Sequence, residues 1–413
     1  MLRRQGLGVG LGLLLAAPAI SAAQARPKGV VVGGGFAGAT AARALLAAGV
    51  DVTLVEASAE YIACPFSNLV LAGLRDMAAQ RFGYEGLRRA GITLVQQRAV
   101  AVEEHAVRLA DGAALPFDRA ILAPGIDLRW DALPGYGEAA AATLPHAWKA
   151  GPQTLLLRDQ LHAMPDGGLV VMSIPANPYR CPPGPYERAS LIAHYLKTQK
   201  PRSKLLVLDA KDQFSKQRLF EQAWAALYPN LEYVPLSAGG QVTEVDAASR
   251  TLRTNFESHV AAVANVIPPQ QAGEIARLAG VADRSGWCPV DPVSFESRLR
   301  PGLHVVGDAA IGGAMPKSAF AANAQARACA AAVVGLLGGT APAPGKLINT
   351  CYSLVAPEYG ISIAGVYQPA NGLLSDVPGA GGISPLEADA GFRAREARYA
   401  EGWFATITHD VFG

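Results

Sequence analysis

Apolar positions along the chain fall into short strand-length runs separated by longer alanine- and leucine-rich stretches. Gly29-Val30-Val31-Val32 is a buried strand in pattern, and it runs through Gly33-Gly34-Gly35-Phe36-Ala37-Gly38 into a helical stretch ending near Ala48. Val52-Thr53-Leu54-Val55 is a second strand and ends at Glu56. This is a β-α-β unit. Further strands are predicted over 92–95, 119–122, 169–172, 204–208, 231–234 and 303–306, with helical patterns between several of them. Strands alternating with helices in this way imply a parallel sheet covered on both faces.

Two such α/β units are expected, the second spanning roughly 155–266. The strand at 303–306 and a helix over 316–337 read as a return to the first unit. From about residue 346 the chain is richer in Gly, Pro and aromatic residues, which predicts a separate cap. No solenoid repeat is present.

Composition narrows the class. Half the residues are apolar and 17% are charged, as in an ordinary globular protein. Residues 1–25 read as an export signal: Arg3 and Arg4, an uncharged stretch, then Ala23 and Ala25 at cleavage spacing. A membrane anchor is the rival reading, although the stretch is rich in Gly and Ala and lacks flanking anchors. The paired arginines point to the twin-arginine route. Removing this segment takes the formal net charge from +2 to 0, leaving no basic field for nucleic acid. A periplasmic protein without stable membrane insertion is expected. Five cysteines in an oxidising compartment make a disulfide reasonable, and an odd thiol is left over.

The glycine run has GxGxxG spacing in the context that gives the motif meaning: strand before, helix after, acid at the end of the next strand. Gly33 permits the tight turn, Gly35 lets backbone approach a pyrophosphate, and Gly38 lets helix and strand pack closely. The helix N-terminus would face the phosphates, and Glu56 would accept from ribose hydroxyls. Two further segments favour FAD over NAD: Ala120-Ile121-Leu122-Ala123-Pro124-Gly125, ending in a glycine turn, and Leu303-His304-Val305-Val306-Gly307-Asp308. In the two-dinucleotide-domain flavoproteins, which this chain resembles, such segments close over the flavin and meet its ribityl–pyrophosphate region, the latter contact falling to Asp308.

The second unit lacks a fingerprint. After Leu169-Val170-Val171-Met172 come Ser173-Ile174-Pro175-Ala176-Asn177-Pro178, which offer no phosphate cradle, so NAD(P)H is not the expected electron donor. The histidines are scattered without ligand spacing, and no metal site is expected. No CxxCH occurs, so the chain carries no c-type haem of its own. Cys329 reads as a core residue, Cys288 has no assigned role, and His304 reads as structural. Lys317 has two readings, neutralising reduced flavin or a surface lysine.

Cys64, Tyr179-Arg180-Cys181-Pro182-Pro183, Asn349-Thr350-Cys351-Tyr352-Ser353, Met315-Pro316-Lys317-Ser318-Ala319-Phe320 and Gly402-Trp403-Phe404 together resemble the flavoprotein subunit of flavocytochrome c sulfide dehydrogenase, from signal to C-terminus. The resemblance implies an α/β fold with two Rossmann-like, glutathione-reductase-like domains and a C-terminal cap or interface domain. The division is then 1–25 signal, 26–135 and 275–345 FAD-binding domain, 136–274 second domain, and 346–413 the flavin-covering part. It implies that Cys64 forms a thioether to the flavin 8α carbon and that Cys181 and Cys351 form a redox-active disulfide on the isoalloxazine. It also implies that Glu187 handles protons there and that Trp403 lies on the substrate side. Pro65-Phe66 after Cys64 departs from the family pattern.

The implied chemistry is reasonable on its own terms. Hydrosulfide attack on a disulfide releases a thiolate that can reduce a flavin, and the flavin can return electrons singly to a separate c-type cytochrome subunit. A structural staple is the other reading of Cys181 and Cys351. A sulfide:quinone reductase and an accessory flavoprotein of a sulfur-oxidising multienzyme system remain as alternative functions.

Overall fold

In a computed structural model, which describes residues 26–413, the first valine run is the central strand of a five-stranded parallel sheet. The segment read as an export signal lies outside the described residues. Strand Lys28–Val32 pairs with Asp51–Val55 on one side and Arg119–Leu122 on the other, with Thr93–Val95 and Leu303–Val305 at the edges. Val31, Leu54 and Leu122 are wholly buried, which is why these strands are apolar throughout. The return of Leu303–Val305 is direct, with His304 opposite Ile121. His304 is buried and its Nδ1 lies 2.9 Å from the Ser294 carbonyl, and Cys288 and Cys329 are core residues.

Helices Phe36–Ala47 and Ala319–Leu337 pack together on this sheet, their alanines allowing close approach. The second of these helices begins at Ala319, not at Pro316 as its sequence predicts. Ser318 Oγ accepts from the Ala321 N–H at 3.0 Å, an N-cap that fixes the start and leaves Pro316 and Lys317 in the preceding turn.

A second parallel sheet runs in the order Leu231–Val234, Lys204–Asp209, Leu169–Ile174, Val263–Val266. Strand Ile126–Leu128 leaves the first domain and Gln270–Ala272 returns to it, and the two pair antiparallel as a double crossing.

Beyond residue 346, strands Leu347–Ala356 and Tyr359–Ala370 form an antiparallel pair, followed by helix Ala390–Phe412. This helix is not a detached cap. Phe412 stacks on Tyr61 at 5.2 Å and Phe82 at 5.3 Å, and Arg43 Nε donates to the Val411 carbonyl at 2.9 Å. Its other face holds the terminal sheet, where Glu396 Oε1 accepts from Ser362 Oγ and Ser384 Oγ, each at 2.6 Å. The terminal strands are thereby clamped to the nucleotide-binding domain.

Candidate active site

The site is a cleft of about 730 Å³ along the C-terminal edge of the first sheet, within the roughly 300–1,000 Å³ typical of cofactor pockets. Its floor is the glycine turn. Gly33 has φ +103°, and a Cβ there would meet the Ala123 carbonyl oxygen at 2.3 Å. Gly35 caps the helix Phe36–Ala47 with no side chain in the way, so the first helical N–H groups are open to a phosphate. Gly38 does not line the cleft. A Cβ on it would lie 1.7 Å from the Gly33 oxygen, so its work is to let the helix meet the turn. Replacement of Gly38 by alanine is therefore expected to open this turn and leave the purified protein with well under half the wild-type flavin content, read from its visible absorbance.

Glu56 ends its strand inside the cleft, with Oε2 accepting from Gly34 N–H at 2.7 Å and Oε1 from Ser58 N–H at 2.8 Å. These bonds hold the carboxylate still and leave it lone pairs for a ribose. Gly125, at φ +63°, turns the chain at the cleft wall. Asp308 is the most telling residue, because its Oδ1 is buried without a hydrogen-bond partner. Burial raises the pKa of this carboxyl, against the nearby charges of Arg180 and Lys317. A buried acceptor left unpaired costs stability unless a ligand supplies a donor, and a ribityl or ribose hydroxyl would do so. Cradle, helix end, acid and orphaned acceptor fit FAD.

Lys317 is not the surface lysine of one sequence reading. Its Nζ donates to the carbonyls of Asp308 at 2.7 Å and Ala310 at 2.8 Å and lies 3.9 Å over the Trp287 ring, outside the cleft lining. Held by two carbonyls and an aromatic face, it props the Asp308 turn and is not a surface residue. Burial lowers its pKa to about 8.

The opposite wall is built from all three remaining segments. Cys64 lies on the loop after strand Glu60–Ile62 and lines the cleft, its Sγ 3.8 Å from the Trp148 carbonyl. Cys181 and Cys351, far apart in sequence, line the same cleft, each from a different domain. Cys181 precedes helix Gly184–Gln199 at φ +58°, an unusual backbone for a residue with a side chain, at a cost on the order of 1–3 kcal/mol. It is held there by its N–H donating to the Lys317 carbonyl at 2.7 Å. Cys351, in strand Leu347–Ala356 opposite Ile363, has its Sγ 3.2 Å from Asn349 Nδ2. It also borders a second cavity of about 430 Å³, walled largely by prolines and by Ile363, Val366 and Val377.

No disulfide joins Cys181 and Cys351 in this structure. Burial, then the proximity of Cys351 and Glu187, pushes the Cys181 thiol well above its ordinary pKa, with Arg180 and Lys216 opposing. Trp403 reaches the cleft from the last helix, parallel to Phe320 at 6.2 Å and beside Tyr352 at 6.1 Å.

Glu187 also lines the cleft, accepting from Leu354 N–H at 2.8 Å and Asn68 Nδ2 at 2.8 Å. Burial raises its pKa against these two bonds and the charges of Lys216 and Arg188. Asn68 in turn accepts from Arg188 Nε at 3.0 Å, so acid, amide and guanidinium form one buried chain. Asn68, Arg188 and Lys216 were not singled out from the sequence. They carry no motif, and only the packing of distant segments brings them to the sulfurs. Among the described residues no group of His, Cys, Asp and Glu is placed to hold a metal.

The second domain differs from the first where its second strand ends. Asp209 ends its second strand, the position Glu56 holds in the first, but it is wholly buried and accepts from Tyr186 at 2.7 Å and Tyr233 at 3.0 Å. Tyr186 is stacked on Phe214 with ring centroids 3.6 Å apart, filling the space beside it. The loop 175–183, which replaces a glycine turn, carries Cys181 instead.

Comparison with known proteins agrees with this architecture. Residues 154–268 match the central-domain model of the flavocytochrome c sulfide dehydrogenase flavoprotein chain, and residues 343–412 match the flavin-binding model of flavocytochrome c sulphide dehydrogenase. A flavocytochrome c sulfide dehydrogenase flavoprotein chain from Chlorobaculum thiosulfatiphilum is 54% identical over 43 residues, 10% of this chain and 90% of that sequence. The chain belongs to this family. Residues 27–151 match the broader pyridine nucleotide-disulphide oxidoreductase family, and the protein is accordingly an FAD-dependent oxidoreductase.

Solved structures extend the fold likeness over most of the chain. A sulfide:quinone oxidoreductase from Aquifex aeolicus superposes with a TM-score of 0.72 at 15% identity, covering 93% of this chain and 92% of that one. A putidaredoxin reductase, in covalent complex with putidaredoxin, gives 0.65 at 19% identity, covering 83% and 82%. At such identities they speak for the two-domain flavoprotein fold alone.

Proposed function

We propose that this family member oxidises hydrogen sulfide at the Cys181–Cys351 pair, with FAD joined covalently to Cys64 and electrons leaving to a partner c-type cytochrome. The observation that supports the reading is that Cys181 and Cys351, distant in sequence, both line the cleft, close enough for the charge of one to act on the other. FAD would be held by the turn of Gly33 and Gly35, by Glu56 and by Asp308, and when bound it supplies a two-electron acceptor that can return electrons singly.

The protein's own part begins with the closed disulfide form of the pair. Hydrosulfide attacks one cysteine sulfur, the S–S bond breaks, and its electron pair leaves on the other cysteine as a thiolate. Glu187, kept protonated to higher pH than an exposed acid, is placed to exchange a proton with the opened pair. Phe320, Tyr352 and Trp403 line this wall with aromatic surface. The product is sulfur at the zero oxidation level, first held as a persulfide.

The partner is inferred from the family name and from the absence of a CxxCH in the chain. Cytochrome is preferred to membrane quinone because the apolar face of helix Ala390–Phe412, including Phe404, Ile407, Val411 and Phe412, is already buried in the fold. The signal-like N-terminus supports a periplasmic location. Purified holoprotein mixed with sulfide and a c-type cytochrome is expected to reduce the cytochrome, with NADH unable to replace sulfide. Flavin left fully oxidised by excess sulfide would overturn the assignment.

A further inference from the structure

Lys216 is a buried cation beside this site with no anion bonded to it, and it differs from Arg188 and Lys317, whose bonded partners are also neutral, in holding the backbone of Cys351 itself. Lys216 is 4% exposed and sits at the N-cap of helix Gln217–Leu227 in the left-handed conformation, φ 63°. Its Nζ donates to the Cys351 carbonyl at 2.9 Å and to Ser353 Oγ at 2.8 Å, with the Ile361 carbonyl at 3.5 Å. All three acceptors are neutral. The ring of Phe220, on its own helix, lies 5.8 Å from the ammonium. The ionisable groups whose charge reaches it are Cys351 from the terminal sheet, Glu187 from helix Gly184–Gln199, Cys181 from the loop before that helix, and Glu396 from the last helix.

Burying an ammonium among neutral partners is costly, and a fold retains one there at a loss unless an anion arrives. The chemistry of the neighbouring sulfurs produces one. When hydrosulfide forms its bond to one cysteine, the charge it brought is transferred to the other cysteine as a thiolate, deep in the wall. The persulfide keeps the proton, so the total charge is unchanged while its location moves inward. We propose that Lys216 is a positioning residue that fixes the Cys351 strand by its carbonyl and supplies the positive charge that holds this released thiolate. The inference rests on the disulfide reading above and adds to it a positive charge that opposes the effect of burial on Cys181.

Burial lowers the Lys216 pKa to about 8, while Cys351, Glu187, Cys181 and Glu396 pull it back upward. The lysine is therefore charged at neutral pH and loses its proton as the solution turns mildly alkaline. Below that point its charge lowers the pKa of the Cys181 thiol; above it the help is lost.

The test uses flavin-loaded protein reduced with a dithiol and needs no sulfide. Alkylation by iodoacetamide, followed by mass spectrometry of the Cys181 and Cys351 peptides, is measured from pH 6 to 10 for the wild type, Lys216→Met and Lys216→Arg. With normal flavin content, Lys216→Met is expected to alkylate at least about tenfold more slowly at pH 7.5, with its midpoint about one unit higher. Lys216→Arg should stay within about threefold of the wild type, since the charge is kept. A Lys216→Met profile that coincides with the wild type, or a Lys216→Arg profile displaced as far as that of Lys216→Met, overturns the proposal. Should Lys216→Met fail to accumulate, the wild-type profile decides: a second inflection near pH 8 supports the role, and a simple one-thiol curve removes it. Expected alkylation without any reaction with sulfide would count against the proposed function and leave this inference standing.

Discussion

Serine in place of Cys351 slows the bleaching of the flavin by sulfide at least about 10³-fold, with flavin content unchanged. A hydroxyl oxygen can neither form the S–S bond that sulfide must open nor leave as a stable anion. The substitution is nearly isosteric, and the Asn349 Nδ2 donor that lies 3.2 Å from the sulfur can equally meet a hydroxyl. Strand pairing with Ile363 is a backbone matter and does not change. Cys181→Ser should lose as much, and the double substitution hardly more, because the two sulfurs act as one unit. Stopped-flow absorbance at the flavin band checks all three; a Cys351→Ser protein that bleaches at the wild-type rate would remove the pair from the reaction.

The second large effect concerns how the flavin is kept. Wild-type holoprotein precipitated with acid is expected to carry its yellow colour into the pellet, whereas Cys64→Ala releases essentially all of it to the supernatant. Acid unfolding destroys the glycine turn and the carboxylate contacts together, so only a covalent link can survive it. Cys64 is the cysteine suited to that link. It lines the cleft on the loop after strand Glu60–Ile62, while Cys288 and Cys329 are sealed in the core. The Cys64→Ala protein should still bind flavin before acid treatment, since Gly33, Glu56 and Asp308 are untouched. Colour found in the wild-type supernatant would count against the thioether.

How much of this was legible in the sequence follows from the range of the interactions concerned. The first β-α-β unit was readable because its signals are local: an apolar strand, glycines that tolerate φ +103° and a 1.7 Å clash, and an acid one strand later. The return of residues 303–305 to the first sheet was readable from the strand that delivers Asp308 at its end. The cysteine wall was not readable from pattern, since nothing local relates residue 181 to residue 351; it came from the family resemblance. The setting of Lys317 was not legible because sequence puts it near Asp308 but cannot show that two backbone carbonyls and Trp287 hold its ammonium. Lys216 was invisible for a similar reason. Read alone, a lysine at the start of an amphipathic helix is a solvated cap, and it is strand Leu347–Ala356 laid across it that buries it. The cap at Ser318 shortened a helix whose apolar pattern gives no sharp beginning.

The loop 175–183 has one more implication. Where the first domain has a phosphate cradle, the second mounts a thiol on the same kind of loop. On the proposed reading such a catalyst would draw nothing from the pool of reduced pyridine nucleotides, and its pace would follow the supply of reduced sulfur and of a haem-bearing acceptor.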